Sequence, residues 1–519
     1  MKKSRGVVAA GHQVTAHAAA DILNAGGNAF DAALAALFAS CVAEPVLASL
    51  GGGGFLLAGV GYAQPTLYDF FSQTPLRKQN ARETDFFPIV ADFGTAQQEF
   101  HIGMGSIATP GVIKGAFLIH RELCSMPMQA IVEPACEAAR AGVHINDLQR
   151  YISELVSPIL ESTPEAKALH ATGEAPDRLA RSGEKVQQRA MADCFELLAT
   201  EGEALFYQGE MGRLLVENCQ QRGGYLRRRD LTSYQVEKRQ PLALNYHDAK
   251  LFTNPAPSVG GTLIAFTLAL LEQENLDREQ PGCLRHLLKI AHAQQLTQKL
   301  RHEKRIDQNL SSETSREVLT EAYLKEYRKT LSNHTSCYRG TTQISVADAN
   351  GNMVSMTLSN GEGSGYVLPG TGIMLNNMLG EEDINPYGFH QWPENRRISS
   401  MMAPTLMQSG SGQLIATGSG GSNRIRSAIL QVLINLIDFG MDIDSAVEFP
   451  RLHLEQETLN LEHAIAMYDQ KKLSQYFSEI KLWPDKNLFF GGAHTVLRSA
   501  TGELSGKGDS RRGGACIKV

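Results

Sequence analysis

A β-hairpin pattern near residue 350 limits the possible folds of this chain more strongly than any other segment does. Polar and apolar side chains alternate in residues 341–347 (TTQISVA) and again in residues 353–359 (MVSMTLS), and the turn-forming residues 348–352 (DANGN) lie between them. Alternation on both sides of a turn is typical of two antiparallel strands. The pattern therefore predicts a hairpin whose first strand begins at Thr341.

The length of the loop determines which residues face each other across the hairpin. A three-residue loop of residues 349–351, with Gly351 in the left-handed conformation, places like side chains opposite like. The expected pairs are Val346 with Val354, Ile344 with Met356, Ser345 with Ser355 and Gln343 with Thr357. The same register sets Ser359 opposite Thr341. We therefore expect the Ser359 hydroxyl within hydrogen-bond reach of the Thr341 amine or hydroxyl.

Thr341 follows Gly340 and is a candidate nucleophile. A threonine hydroxyl reacts poorly until a base takes its proton, and cleavage before Thr341 would give it an α-amine with an unperturbed pKa of about 7.7–8.0. On local sequence alone, an ordinary β-branched strand residue is the more common interpretation. The charge-rich residues 298–338 lack a strong apolar period, so we expect a solvated, mobile segment upstream, as a processed precursor requires.

The composition excludes several classes of protein. The chain has 519 residues, of which 43% are hydrophobic and 20% charged, so it can form a large core. A net charge of -6 argues against nucleic-acid and anionic-membrane partners. The eight cysteines are scattered, and no histidine belongs to a metal-binding motif, so we expect no disulfide scaffold, no metal and no cofactor. Neither a signal peptide nor a membrane span is recognisable, and we place the chain in the cytoplasm.

The sequence predicts helices near both ends of the chain and in its middle. Asn28, with Asp31 three residues later, predicts the start of an amphipathic helix that ends at Glu44-Pro45. Residues 115–335 are mostly helical by pattern. The glycine-rich residues 418–423 lead into a helix with an apolar stripe from Ile425 to Ile437.

Two glycine-rich loops are candidates for anion binding. Neither residues 51–54 nor residues 418–421 contain the Lys-Ser/Thr ending of a phosphate-binding loop, so nucleotide binding is disfavoured. Residues 51–54 are best explained as a tight turn entering a buried strand. Gly420 and Gly421 precede a helix and can form an oxyanion hole, although the local sequence alone favours another tight turn.

Many short segments, in the same order along the chain, together show a family resemblance that no single motif shows. They are residues 26–33 (GGNAFDAA), 50–55 (LGGGGF), 109–111 (TPG), 230–234 (DLTSY), 255–261 (PAPSVGG), 341–346 (TTQISV), 372–377 (GIMLNN), 399–401 (SSM), 417–424 (TGSGGSNR) and 449–451 (FPR). These segments resemble the γ-glutamyltranspeptidases, also called glutathione hydrolases. Members of that family are amino-terminal nucleophile hydrolases made as self-cleaving precursors.

The resemblance implies a fold, a cleavage site and a set of site residues. The implied fold is an α+β, four-layer αββα sandwich, cut between Gly340 and Thr341 into a large subunit of residues 1–340 and a small subunit of residues 341–519. Thr341 would attack a γ-glutamyl amide, and water or an amino acid would take the acyl group. The implied supporting residues are Ser359 for the nucleophile's amine, Ser399 and Ser400 for the substrate, and Gly420 and Gly421 for the oxyanion.

The departures from the family pattern concern the substrate. The arginine expected to bind the α-carboxylate is replaced by Phe71, which cannot make that contact. In the region for the α-amino group, Asn360 stands one place early, and Glu381 or Glu382 can supply a carboxylate.

Three functions remain open at this stage. The first is a γ-glutamyltransferase or hydrolase acting on glutathione or a similar compound. The second is an acylase with the same machinery and another amide substrate. The third is an uncleaved, non-catalytic binding protein. We also expect the two subunits to stay together, and the processed unit can form a homodimer.

Overall fold

The computed structural model describes residues 4–61, 63–92, 97–327, 340–385, 388–455, 457–462 and 472–519. In these residues the strands are β1 Gly6–Ala10, β2 Gly53–Gly59, β3 Thr66–Asp69, β4 Phe87–Asp92, β5 Gln97–Ile102, β6 Val143–His144, β7 Lys185–Val186, β8 Glu237–Arg239, β9 Leu242–Tyr246, β10 Ala249–Thr253, β11 Thr342–Asp348, β12 Met353–Ser359, β13 Val367–Leu368, β14 Ile373–Met374, β15 Thr405–Gln408, β16 Leu414–Gly420, β17 Leu452–Glu455, β18 Thr458–Leu461, β19 Glu479–Leu482, β20 Gly492–Arg498, β21 Leu504–Lys507 and β22 Ala515–Lys518.

The helices of the same described residues concentrate in the first two thirds of the chain. They are α1 Gln13–Asn24, α2 Ala29–Ala43, α3 Val112–Leu123, α4 Met128–Ala141, α5 Asp147–Leu155, α6 Ser157–Leu160, α7 Pro164–His170, α8 Arg189–Glu201, α9 Ala204–Tyr207, α10 Glu210–Gln221, α11 Arg228–Ser233, α12 Gly260–Leu271, α13 Leu284–Glu303, α14 Ile306–Asn309, α15 Ser312–Val318, α16 Glu321–Tyr327, α17 Arg424–Ile437 and α18 Ile443–Glu448.

Two large antiparallel sheets form the centre of the molecule. Within the described ranges, one sheet has seven strands in the order β22-β1-β11-β12-β2-β3-β8, and the other has six in the order β21-β20-β16-β15-β10-β9. Strands β11 and β12 pack against β16 and β20 of the facing sheet. Helices α1 and α2 cover the first sheet, and α12 and α17 cover the second. The predicted four-layer αββα sandwich is confirmed.

The β11–β12 hairpin has the register that the sequence predicts. The observed pairs include Val346 with Val354, Ile344 with Met356, Ser345 with Ser355 and Gln343 with Thr357. Gly351 lies in the turn with φ +90°, a conformation that favours glycine. Because β11 lies inside the seven-stranded sheet, between β1 and β12, the hairpin places Thr341 deep in the molecule.

Hydroxyl groups on the hairpin hold the two sheets together. Ser345 Oγ donates to the His494 carbonyl oxygen at 2.8 Å, and Ser355 Oγ donates to the Thr417 carbonyl oxygen at 2.7 Å. Thr357 Oγ1 donates to Gln343 Oε1 at 2.6 Å. These buried polar groups are therefore hydrogen-bonded, as burial away from water requires.

The predicted start of α2 is confirmed, but its amphipathic character is not. Asn28 and Asp31 form a capping box, and the helix ends at Glu44. Every residue of α2 is buried, because the helix lies between the first sheet and helices α1 and α4. A helix enclosed on all sides has no polar face to solvent.

The prediction for residues 298–338 is wrong where it can be compared with the structure. Residues 298–327 form the end of α13 and all of α14, α15 and α16. Buried side chains fasten them to the core, namely Leu300, Ile306, Val318, Leu324 and Tyr327. These side chains are spread over four separate helices, so no single apolar period is visible in the sequence. Residues 328–338 lie outside the described residues.

Candidate active site

Thr341 is buried directly before β11, and its hydroxyl contacts the peptide bond between Gly340 and Thr341. Thr341 Oγ1 donates to the Gly340 carbonyl oxygen at 2.7 Å. Ser359 Oγ, at the end of β12, donates to the same oxygen at 2.9 Å. Ser359 is therefore next to Thr341 as the register predicts, although its partner is the Gly340 carbonyl rather than the Thr341 amine or hydroxyl. Two hydroxyl donors on one carbonyl oxygen polarise that carbonyl.

Thr342, the residue after the candidate nucleophile, fixes the start of β11. Thr342 Oγ1 donates to Glu44 Oε2 at 2.7 Å, and Thr15 Oγ1 donates to Glu44 Oε1 at 2.9 Å. Burial raises the pKa of Glu44, while the two hydroxyls and the charge of Arg512 act in the opposite direction. Sequence reasoning used Glu44 only as a helix terminator, since nothing local connects it with a residue about 300 positions later.

A buried arginine approaches the candidate nucleophile from the carboxyl end of the chain. Arg512 Nη1 donates to the Thr341 carbonyl oxygen at 3.3 Å. Burial lowers the pKa of Arg512 to about 10, although Glu362, Asp509 and Glu44 act to raise it. At neutral pH the guanidinium is therefore still charged. The sequence analysis missed this residue, because no motif surrounds it.

The predicted oxyanion glycines lie beside Thr341. Gly420 is the last residue of β16, and a Cβ at this position would come within 2.1 Å of the Thr341 carbonyl oxygen. Gly421 has φ +120° and is close to Gly491 and Arg512. The structure brings both glycines to the site. Their role as oxyanion donors stays a prediction, since the Gly340 oxygen takes its hydrogen bonds from Ser359 and Thr341.

A small cavity of about 30 Å³ adjoins Thr341. Its lining residues are Phe71, Thr341, Ser359, Met378, Glu381, Asp383, Ile384, Ser400, Met401, Met402, Ser422 and Ile425. Such a volume holds about one or two water molecules but no amino acid.

The structure divides the predicted substrate residues into two groups. Ser400 and Glu381 line the small cavity, and Ser400 Oγ accepts a hydrogen bond from the Met402 N–H at 3.1 Å. Ser399 instead lines a neighbouring cavity of about 550 Å³. Glu382 is exposed and Asn360 is buried, and neither is among the lining residues of the small cavity. Asn360 Nδ2 donates to the Met374 carbonyl oxygen at 3.4 Å.

Phe71 reaches the cavity, and the arginine that contacts its backbone is already paired. The Phe71 ring stacks on Phe55 with centroids 5.3 Å apart, and its carbonyl oxygen accepts hydrogen bonds from Tyr234 and Arg397. Arg397 Nε lies 3.3 Å from Asp69 Oδ1 in a buried ion pair. Arg397 is therefore engaged by its own carboxylate partner.

The charged side chains that line the small cavity are acidic. Glu381 and Asp383 are among its lining residues, and none of the described lining residues is lysine or arginine. Ser422 Oγ donates to Asp383 Oδ2. Sequence reasoning named Glu381 but not Asp383, two positions later in the same acidic run. The cavity can accept an ammonium group more readily than a carboxylate.

Within the described residues, no three His, Cys, Asp or Glu side chains gather closely enough to hold a metal ion. In the same part of the chain, no helix has the length and apolar character needed to cross a membrane.

Comparison with known proteins points to one family. Residues 15–519 match the family model described as gamma-glutamyltranspeptidase. The chain is 27% identical to the glutathione hydrolase proenzyme of Escherichia coli (strain K12), covering 98% of this chain and 91% of the relative. It is 29% identical to the acylase ACY 1 proenzyme of Pseudomonas sp. (strain V22), covering 99% and 94%. The cephalosporin acylase structure from Bacillus halodurans superposes with a TM-score of 0.85 at 23% identity, covering 99% and 96%.

Proposed function

Because the chain belongs to the γ-glutamyltranspeptidase family, we propose that it is a self-processing amidohydrolase in which Thr341 is the nucleophile. The observation that carries the proposal is the 2.7 Å hydrogen bond from Thr341 Oγ1 to the Gly340 carbonyl oxygen. It places the hydroxyl beside the carbonyl that self-cleavage must attack. Cleavage there gives subunits of residues 1–340 and 341–519.

After cleavage, the same hydroxyl acts on the substrate. The free α-amine of Thr341 takes the hydroxyl proton, the oxygen attacks the substrate amide, and an acyl-enzyme forms. Water or an amino acid then accepts the acyl group. Gly420 and Gly421 are the proposed donors to the oxyanion, and Arg512 holds the Thr341 backbone in place.

The proposed substrates are γ-glutamyl compounds such as glutathione. Two observations support this choice, namely the glutathione hydrolase relatives and the carboxylates of Glu381 and Asp383 at the cavity. A carboxylate pair can bind the α-ammonium group of a γ-glutamyl substrate.

An acylase acting on another amide is the second candidate. Phe71 lines the cavity where an arginine would bind the α-carboxylate, and Arg397 is paired with Asp69. The acylase relative is also as similar to this chain as the glutathione hydrolase relative. A substrate without the amino-acid head then fits the same machinery.

The two candidates can be distinguished with three anilides that carry different charged groups. We would measure kcat/KM for three compounds. The γ-glutamyl anilide carries both an ammonium and a carboxylate, the glutaryl anilide carries only the carboxylate, and the 4-aminobutyryl anilide carries only the ammonium. For a γ-glutamyl enzyme with this cavity, we expect removal of the ammonium to lower kcat/KM more than removal of the carboxylate. Faster turnover of the glutaryl than of the γ-glutamyl compound would support the acylase instead.

Intact-mass measurement with amino-terminal sequencing tests the cleavage itself. We expect two polypeptides, the smaller beginning at Thr341. A single full-length band that persists on incubation would contradict the enzyme and support the non-catalytic binding protein.

Two further proposals concern assembly and location. We expect the two subunits to stay associated after cleavage, because β11 lies between strands contributed by both of them. A homodimer of processed units and a cytoplasmic location are proposals that light scattering and cell fractionation can test.

A further inference from the structure

One short loop, residues 359–363, contacts both polar groups of the Gly340 backbone. Ser359 Oγ donates to the Gly340 carbonyl oxygen at 2.9 Å. The Gly340 N–H donates to Oε1 of Glu362. Ser359, Glu362 and Gly340 are all buried. A single turn of chain therefore binds both the N–H and the carbonyl oxygen of Gly340.

The conformation of this loop is set by its glycines and by Asn377. Gly361 has φ +63° and Gly363 has φ +90°, values that favour glycine. The Gly361 N–H donates to Ser359 Oγ at 3.1 Å, and the Glu362 N–H donates to Asn377 Oδ1 at 2.9 Å. These hydrogen bonds fix the loop, and the side chains of Ser359 and Glu362 both contact Gly340.

The space around Gly340 is too tight for a side chain unless its neighbours shift. A Cβ at this position would lie 2.9 Å from Glu362 Oε2 and 2.9 Å from the Gly361 carbonyl oxygen. Both contacts are shorter than carbon and oxygen tolerate without bonding. The glycine before the cleavage site therefore matches the shape of the loop.

We propose that Glu362 is a positioning residue for self-cleavage, an inference that rests on the proposed function. By accepting the Gly340 N–H, its carboxylate fixes the orientation of the glycine, and Ser359 fixes the carbonyl. The carbonyl carbon then cannot turn away from the Thr341 hydroxyl. Holding reacting groups in place in this way reduces the entropic cost of reaching the transition state.

Glu362 makes and breaks no covalent bond in this scheme. Thr341 Oγ bonds to the Gly340 carbonyl carbon, the carbon–nitrogen bond breaks, and the hydroxyl proton passes to the Thr341 nitrogen, which becomes the free amine. Water then hydrolyses the resulting ester. This second step returns the hydroxyl to Thr341 and leaves Gly340 as a carboxylate with release of a proton.

The test compares the rate of cleavage in Glu362→Ala and Glu362→Gln after cell-free synthesis of the full chain, followed by denaturing gel and intact mass. We expect E362A to cleave on the order of 10²-fold more slowly than wild type, because Gly340 loses its partner. E362Q keeps an oxygen acceptor of the same length and should cleave at close to the wild-type rate. E174A removes an exposed carboxylate and serves as the matched control.

Three results would overturn the inference. They are cleavage of E362A at the wild-type rate, cleavage of E362Q as slow as that of E362A, and loss of the folded state in the doubly substituted T341A/E362A chain relative to T341A. An uncleaved wild-type chain would overturn the proposed function together with the inference. A cleaved wild type beside an equally cleaved E362A would overturn the inference alone.

Discussion

At the level of single residues, one hydroxyl is the proposed nucleophile of two reactions. Thr341 Oγ1 lies against the carbonyl that self-cleavage attacks, and after cleavage it is the proposed nucleophile toward substrate. The residue also lines the small cavity of about 30 Å³. Serine keeps the hydroxyl and loses only a methyl group.

We expect Thr341→Ala to abolish both cleavage and turnover, because the same hydroxyl is the proposed nucleophile in both steps. Thr341→Ser should retain part of each. Intact mass follows cleavage, and release of the anilide product follows turnover. Efficient cleavage of T341A would contradict the assignment of the nucleophile.

At the scale of elements, the site depends on how closely two strands approach each other. The end of β16 touches the start of β11, so that a Cβ on Gly420 would lie 2.1 Å from the Thr341 carbonyl oxygen and 3.2 Å from Arg512 Nη1. The contact joins the two sheets at the point where chemistry is proposed. A side chain at Gly420 must therefore displace the backbone of the nucleophile.

Gly420→Ala should lower the rate of cleavage on the order of 10²-fold, because a shift of about 1 Å between reacting atoms has an effect of that size. Gly173→Ala is the matched control, since no atom lies within 4 Å of the added carbon. Cleavage rates from intact mass would show the difference. Equal rates for G420A and G173A would mean that the contact between β16 and Thr341 is not important.

At the scale of the whole molecule, a buried ion cluster fixes the carboxyl end of the chain near the site. Asp509 Oδ2 lies 2.6 Å from Arg451 Nη2, and Asp509 Oδ1 lies 3.2 Å from Arg511 Nη1. Burial would raise the pKa of Asp509, but the two arginines outweigh it and hold that pKa well below its usual range. The cluster orients the residues that precede Arg512.

Asp509→Asn should lower the free energy of unfolding by about 3–5 kcal/mol, because the buried Arg451 loses its carboxylate partner and the buried Arg511 keeps only Glu462. A depressed carboxyl pKa stabilises the fold above the unfolded value of about 3.9, and this contribution is lost as the pH falls further. The difference between variant and parent should therefore shrink below about pH 4. Denaturant unfolding of uncleaved T341A chains, with and without D509N, measures it.

Asp193→Asn is the control for that prediction. It removes an exposed carboxylate from the exposed Arg140, and ion pairs at the surface contribute little to stability. If D509N and D193N had equal effects at neutral pH, the buried cluster would not stabilise the fold.

Sequence alone was enough to predict the local structure around the proposed nucleophile. The hairpin register, the left-handed Gly351 and the capping box of Asn28 and Asp31 were predictable, because turn chemistry and side-chain alternation act over a few neighbouring residues. The family resemblance extended this to the sandwich fold. It also pointed to the glycines beside Thr341.

The distant residues that complete the candidate site became evident only in the folded structure. Glu44, Glu362 and Arg512 reach the start of β11 from three separate parts of the chain. Asp383 joined the cavity and the exposed Glu382 did not, although they are adjacent in sequence. The physical reason is that these contacts depend on the stacking of two sheets and on the path of the loops between them. No local pattern of polar and apolar residues encodes that stacking.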